Sequence, residues 1–285
     1  NRSGATPMAS HKANAAIAEG RAVTIQTLGG TGALRIGAEL LKRFLPDASV
    51  WISKPSWENH RAVFEAAAHV VEQYPYYDPV AHDLDFAAMT DALRCLPAGS
   101  VVLLHACCHN PSGVDPTKEQ WLQIRDILLE RELVPFFDFA YQGLGDGLEE
   151  DAFAVRSFVE AGGVCLIANS YSKSFSLYRE RVGGLTVVTQ SADEAECVLS
   201  QLKRIVRANV SNPASFGGQV VSMILNEPEL AARWHEELAG MRTRIRRMRS
   251  LFVSTLRAKG VGRDFGFIER QRGMFSLLGL PVETV

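Results

Sequence analysis

Short, nearly continuous apolar runs constrain this chain most. Residues 49–53 read SVWIS, 101–107 VVLLHAC, 134–139 VPFFDF and 164–168 VCLIA. A strand with one wet face alternates apolar and polar residues, so a strand apolar on both sides is covered on both sides. Helical patterns lie between the runs. Residues 117–132 put Trp121, Ile124, Ile127 and Leu128 on one face behind Thr117 as N-cap, and residues 33–44 form another such pattern. Strand and helix alternate. The expected fold is α/β, with a three-layer, mostly parallel sheet flanked by helices.

The pattern changes at Glu229. Leu230, Trp234, Leu238, Met241, Ile245, Met248, Phe252 and Leu256 recur every three or four residues, one amphipathic helix over about 229–259. Beyond it, DFGFIE (264–269) and MFSLL (274–278) read as short strands. The expected organisation is a large domain over 1–243, with an atypical segment at 1–19, and the beginning of a smaller α+β domain over 244–285.

Composition excludes some functions. The 285 residues are 47% apolar with a net charge of −2, which gives a sizeable core and no charge excess for nucleic acid or an anionic membrane. No apolar run approaches the roughly 20 residues that span a bilayer. No secretory signal is expected, because no charged stretch is followed by an apolar one near the start. The five cysteines are odd in number and lack metal-site spacing, and are read as reduced, in a cytoplasmic protein. His105, Cys107, Cys108 and His109 would sit on alternate faces of a strand, so no metal is expected there. Arg242, Arg244, Arg246, Arg247 and Arg249 read as a solvated helix face.

In open α/β sheets, ligands bind beyond the carboxyl ends of the strands. The groups just past those ends here are Trp57 and His60, then Asn110, then Asp138 and Tyr141, then Ser170 and Lys173. Upstream, TLGGTG (27–32) leads into a helix, and Arg181 follows Lys173 by eight residues. A glycine turn at a helix N-terminus, with Gly30, Thr31, Ser170 and Arg181, suits a phosphate. Its spacing is neither that of a Walker loop nor that of a dinucleotide fold. Asp138 could pair with a protonated ring nitrogen, Asn110 and Tyr141 with a phenolate oxygen, Trp57 with a flat ring, and Lys173 with an aldehyde. Those five features belong to pyridoxal 5'-phosphate. Singly, each residue has a plainer reading: a surface lysine, a helix cap, an ordinary turn, a core tryptophan.

The blocks QTLGGTGALRIGAELL (26–41), PSWENH (55–60), YPYYDP (74–79), HACCHNPSGVDPTKEQW (105–121), FDFAYQGLGDGLEED (137–151), SYSKSFSLYRERVGG (170–184), RANVSNPASFG (207–217) and RQRGMFSLLGL (270–280) follow in order. With them, the chain resembles the class I pyridoxal-phosphate aminotransferases of the aspartate/aromatic amino acid branch, the fold-type I transferases. The resemblance implies that Lys173 carries the cofactor covalently. It implies that Asp138 partners the ring nitrogen with His60 behind it, and that Asn110 and Tyr141 hold the phenolate oxygen. Trp57 stacks on the ring, and Gly30, Thr31, Ser170 and Arg181 bind the phosphate. Trp57 and Asn110 also border the substrate. Arg207 grips a substrate side-chain carboxylate from the other subunit of a homodimer.

The implied reaction is a ping-pong transfer of an amino group between an L-amino acid, aromatic or aspartate, and 2-oxoglutarate. Arg207 suits a dicarboxylate, while IQTLGG, SWENH and FSLYRERVGGL lean toward the aromatic members. Family members carry an N-terminal arm and a C-terminal tail that this sequence lacks, and those stretches are expected to lie outside it. Two other readings stay open. One is a catalytically silent chain that binds the cofactor. The other is a lyase or decarboxylase on the same fold.

Overall fold

The structure is a computed structural model that describes residues 15–280. Most of the atypical N-terminal segment and the last five residues lie outside the described residues. A short α1 (Ala15–Ala18) leads into β1 (Ala22–Leu28), α2 (Gly29–Phe44), β2 (Val50–Lys54), α3 (Glu58–Glu65) and β3 (Val71–Pro75). The small pair β4 (Tyr77–Asp78) and β5 (Asp83–Leu84) precedes α4 (Phe86–Cys95). Then come β6 (Val101–His105), α5 (Lys118–Glu130), β7 (Val134–Phe139), α6 (Phe153–Glu160), β8 (Cys165–Ser170) and β9 (Val182–Val188). Three helices follow, α7 (Ala192–Val210), α8 (Phe216–Asn226) and α9 (Pro228–Ala258).

Seven strands form one sheet in the order β1-β9-β8-β7-β6-β2-β3. The neighbours from β3 to β8 pair in parallel, and β9 runs against both β8 and β1. The alternation of a strand divides the core in two. In β6, Val101 and Leu103 pack with Leu34, Leu41, Phe64 and Leu202, while Val102 and Leu104 pack with Met89, Trp121, Ile124 and Phe158. Helices α2, α3 and α7 therefore cover one face, and α4, α5 and α6 the other. The adjacent Phe136 and Phe137 of β7 are both fully buried, one on each side. Each such burial stabilises the fold by ~2 to 3 kcal/mol.

The long helix α9 has 31 residues and begins with a proline in its first turn, where no intrahelical N–H is needed. Two expectations are corrected beyond it. The segment 264–269 is mostly a 3-10 helix (Gly266–Arg270), and 274–278 has no regular structure. Asp264 accepts a hydrogen bond from the Gly266 N–H, which closes a local turn in place of a ladder. The arginines of α9 are not all a solvated face either. Arg249 is buried and donates to the Gly273 and Phe275 carbonyls and to Ser276 Oγ. Arg242 reaches the Gly143 carbonyl, and Arg246 reaches the Gly145 carbonyl and Asp146. Among the described residues, no helix is long and apolar enough to cross a membrane.

Candidate active site

Asp138 stands near the carboxyl end of β7, paired in register with His105 of β6 and Ala168 of β8. The central strands place it at the middle of the sheet edge. His60, in the first turn of α3, lies behind it, with Nε2 2.8 Å from Asp138 Oδ2. The His60 side chain is fully buried and that of Asp138 is 7% exposed. An ionised carboxylate only accepts, so His60 donates from Nε2, and Nδ1 faces Ser56 Oγ at 2.9 Å. Burial alone would raise the Asp138 carboxyl. The hydrogen bond from His60, with the nearby Lys173 amine, outweighs it and holds that carboxyl below its usual range. Its second oxygen takes no hydrogen bond among the described residues.

Two more histidines stand beside this pair. The His105 ring is 4.9 Å from His60 and 4.4 Å from His109. Burial, then the neighbouring His60, lowers His105 to about 3, so it is neutral. His109 is held between Ser53 Oγ and Ser112 Oγ and stacks on Tyr76 at 3.9 Å.

Lys173 follows β8 by three residues, and its Nζ lies 4.5 Å from the centre of the Tyr141 ring. Burial lowers its amine, with Asp138 opposing and Arg181 assisting. Asn110 Nδ2 donates to Tyr141 Oη at 3.4 Å, so the two expected phenolate partners meet. Burial, with the Asp138 charge beside it, raises the Tyr141 phenol, which stays protonated as a donor. Trp57 occupies the position before α3, edge-on to His60 at 5.2 Å.

The glycine turn becomes the start of α2. The residue before this helix, Leu28, offers no side-chain cap, so the first-turn N–H groups stay unclaimed by side chains. Arg181 lies across this end. Its guanidinium donates to the Tyr178 and Leu28 carbonyls and to Ser172 Oγ, and meets no carboxylate among the described residues. A Cβ on Gly29 would lie 2.5 Å from Arg181 Nη2, and one on Gly30 3.0 Å from Ser170 Cβ. Thr31 follows on the same turn of α2. An uncapped helix N-terminus beside a guanidinium with only neutral partners fits a phosphate. The free Asp138 oxygen and the unpartnered buried Ser174 Oγ and Asn169 Oδ1 mark the same end of the sheet. The residues present fit pyridoxal phosphate.

The structure therefore brings together Gly30, Thr31, Ser170 and Arg181 at one end, and His60, Asp138, Asn110, Tyr141 and Lys173 at the other, with Trp57 beside His60. Arg207 stands apart. It is exposed in the last turn of α7 and bonds to Ser211 Oγ. Ser56, Ser172, Gly29 and His105 were not singled out as site residues from the sequence. Ser172 had the clearest signal, a hydroxyl adjoining Lys173. The strand-face argument against a metal does not reach Cys107 and Cys108, because β6 ends at His105. Those two thiols converge with Asp151, whose carboxylate already accepts four backbone N–H groups.

The sequence pattern of the family described as aminotransferase class I and II matches residues 7–285. The chain is 55% identical over 269 residues to the aspartate aminotransferase of Pseudomonas aeruginosa, covering 94% of this chain and 68% of that protein. It is 51% identical to the aromatic-amino-acid aminotransferase of Escherichia coli, over 93% of this chain and 67% of that one. The fold superimposes with a TM-score of 0.94 on the crystal structure of the aromatic-amino-acid aminotransferase of Burkholderia pseudomallei covalently bound to pyridoxal phosphate. That match is 52% identical and covers 96% of this chain and 68% of that one. This chain belongs to the class I and II aminotransferases, in their aspartate and aromatic amino acid branch.

Proposed function

We propose that this protein moves an amino group between an L-amino acid and a 2-oxo acid with pyridoxal phosphate, held at Lys173. The carrying observation is the shared edge that joins a phosphate-ready helix N-terminus, a buried charged carboxylate and a desolvated lysine. When bound, pyridoxal phosphate draws off the electron pair left on an amino acid's Cα after its proton is removed. Asp138 supplies a fixed negative charge for the ring nitrogen, and His60 keeps that charge in place. Asn110 and Tyr141 donate to the phenolate oxygen. Arg181, Ser170 and the first turn of α2, with Gly30 and Thr31, hold the phosphate. Trp57 covers the ring and, with Asn110, borders the substrate. Lys173, released once the substrate's own amine has taken its place, would take the Cα proton and return it to the former aldehyde carbon two bonds away, a role helped by an amine that burial already makes less basic.

Arg207 is proposed to bind a substrate carboxylate in the active site of a second copy, as the resemblance implies. Its exposure at the end of α7 supports that reading. The shared site makes the working form a homodimer. The substrate class is dicarboxylic and aromatic amino acids with 2-oxoglutarate as acceptor. Relatives of both kinds at about half identity support it. The separate apolar cluster of Val253, Phe265, Phe267 and Ile268 supports reading 244–285 as the start of a smaller domain. Five unpaired thiols support a cytoplasmic location.

The test is direct. Protein loaded with pyridoxal phosphate and reduced with borohydride should carry the cofactor on Lys173 by peptide mapping. Aspartate, tyrosine and phenylalanine should each yield a new amino acid from 2-oxoglutarate. An adduct that survives Lys173→Ala, or release of carbon dioxide or ammonia instead, would refute the reading.

A further inference from the structure

Two carboxylates below the site contact none of the groups assigned a role above. Asp115 accepts from the Cys108 N–H at 2.7 Å and the His109 N–H at 2.8 Å, immediately before Asn110. Asp151 is buried and accepts from Gly143 and Asp146 at 2.8 Å, Gly145 at 3.0 Å and Gly147 at 3.4 Å, in the loop that begins two residues after Tyr141. Each carboxylate thus gathers the N–H groups of one loop, and each loop carries one of the two phenolate partners. The glycines of 143–147 permit the wrap, since a Cβ on Gly145 would lie 2.5 Å from Asp151 Oδ1.

We propose that Asp115 and Asp151 are positioning residues that set the placement of Asn110 Nδ2 and Tyr141 Oη relative to each other. A loop with free N–H groups would satisfy them in several ways, and each way moves the donor at its end. A carboxylate that accepts two or four of them admits one arrangement. Burial pushes both carboxyls above the ordinary range, Asp115 to about 6, against the bonds from those N–H groups. Keeping Asp115 charged there at neutral pH costs stability. A site kept for stability alone would use neutral acceptors. Arg272 joins the two loops from above. Its N–H donates to the Gly113 carbonyl at 2.6 Å and its Nε to Asp146 at 2.6 Å.

This inference rests on the functional reading and is tested on protein loaded with pyridoxal phosphate. The donors keep charge on the phenolate oxygen and so hold down the pH midpoint of the visible absorption band. Asp115→Asn and Asp151→Asn should each raise that midpoint by about 0.5 to 1 unit, the size of one weakened hydrogen bond. In a Tyr141→Phe background the Asp151→Asn shift should shrink to less than about 0.2 unit, because the donor it places is gone. In an Asn110→Ala background the Asp115→Asn shift should shrink likewise. Gly145→Ala displaces the Asp151 carboxylate and keeps its charge, so it gives the same shift if the asparagine variants fail to accumulate. An unchanged midpoint in the folded variants, or a full shift that persists in Tyr141→Phe, overturns the proposal. A parent protein that shows no visible band overturns the functional reading and this inference with it, whereas a parent band with unshifted variants overturns this inference alone.

Discussion

His60 Nε2 meets Asp138 Oδ2 at 2.8 Å with both side chains buried, and 78 residues of chain separate them. The contact decides the charge of the site, because it keeps a buried carboxylate ionised. Asp138 has a lower pKa folded than unfolded, so its stabilising contribution is full above about pH 4 and fades as pH falls through the folded value. His60→Phe removes the donor and leaves the carboxylate unpaired. The variant should lose about 3 kcal/mol at pH 7. Its acid unfolding should begin at higher pH than the parent's. Urea titrations from pH 3 to 8 check both.

Lys173 illustrates a cost of function. Burial lowers its amine, so the charged form is disfavoured in the fold. Its folded pKa lies below the unfolded one, and the fold gains stability only as pH rises through the folded value. Lys173→Met should raise the Tm of the cofactor-free protein by about 1 to 3 °C. It should lower kcat by at least about 1,000-fold. A scan without cofactor and a coupled assay with it separate the two effects.

Gly29 and Gly99 both sit in left-handed backbone, at φ +69° and +77°. Alanine at either position is strained and should cost about 1 kcal/mol. Only Gly29 abuts Arg181, whereas nothing lies within 4 Å of a Cβ at Gly99. Gly29→Ala should weaken pyridoxal phosphate binding at least about tenfold, and Gly99→Ala should leave it unchanged. Equilibrium titration of cofactor into stripped protein measures both.

Thr117 and Gln120 form a reciprocal capping box at the start of α5. Thr117→Ala should destabilise the protein by about 1 kcal/mol in urea and leave kcat within a factor of two. A large fall in kcat would show that α5 does more than cover the sheet.

Much of this protein was legible before folding. The run at 134–139 is the strand itself, and the cap at Thr117 and the helix near 229–259 sit where their local patterns put them, because each rests on residues within a few positions of one another. Other features were not. β1 and β9 carry no local strand signature, since TIQTL and VGGLTVV owe their state to pairing across some 160 residues, as in Ile25 opposite Leu185. The segments 264–269 and 274–278 have strand-like composition, but a side-chain turn at Asp264 and the buried Arg249, which claims carbonyls of the second segment, leave them no ladder.

The sequence by itself determined the covered sheet, the glycine turn, the lysine beyond β8 and the family. The tertiary structure alone decided which polar groups face each other. It paired His60 with Asp138, set Arg181 across the start of α2, and placed Asp115 and Asp151 beneath the two donor loops. The reason is physical. Periodicity and capping are properties of neighbouring residues, whereas the charge of a buried carboxylate depends on partners that only the packed sheet brings within hydrogen-bond distance.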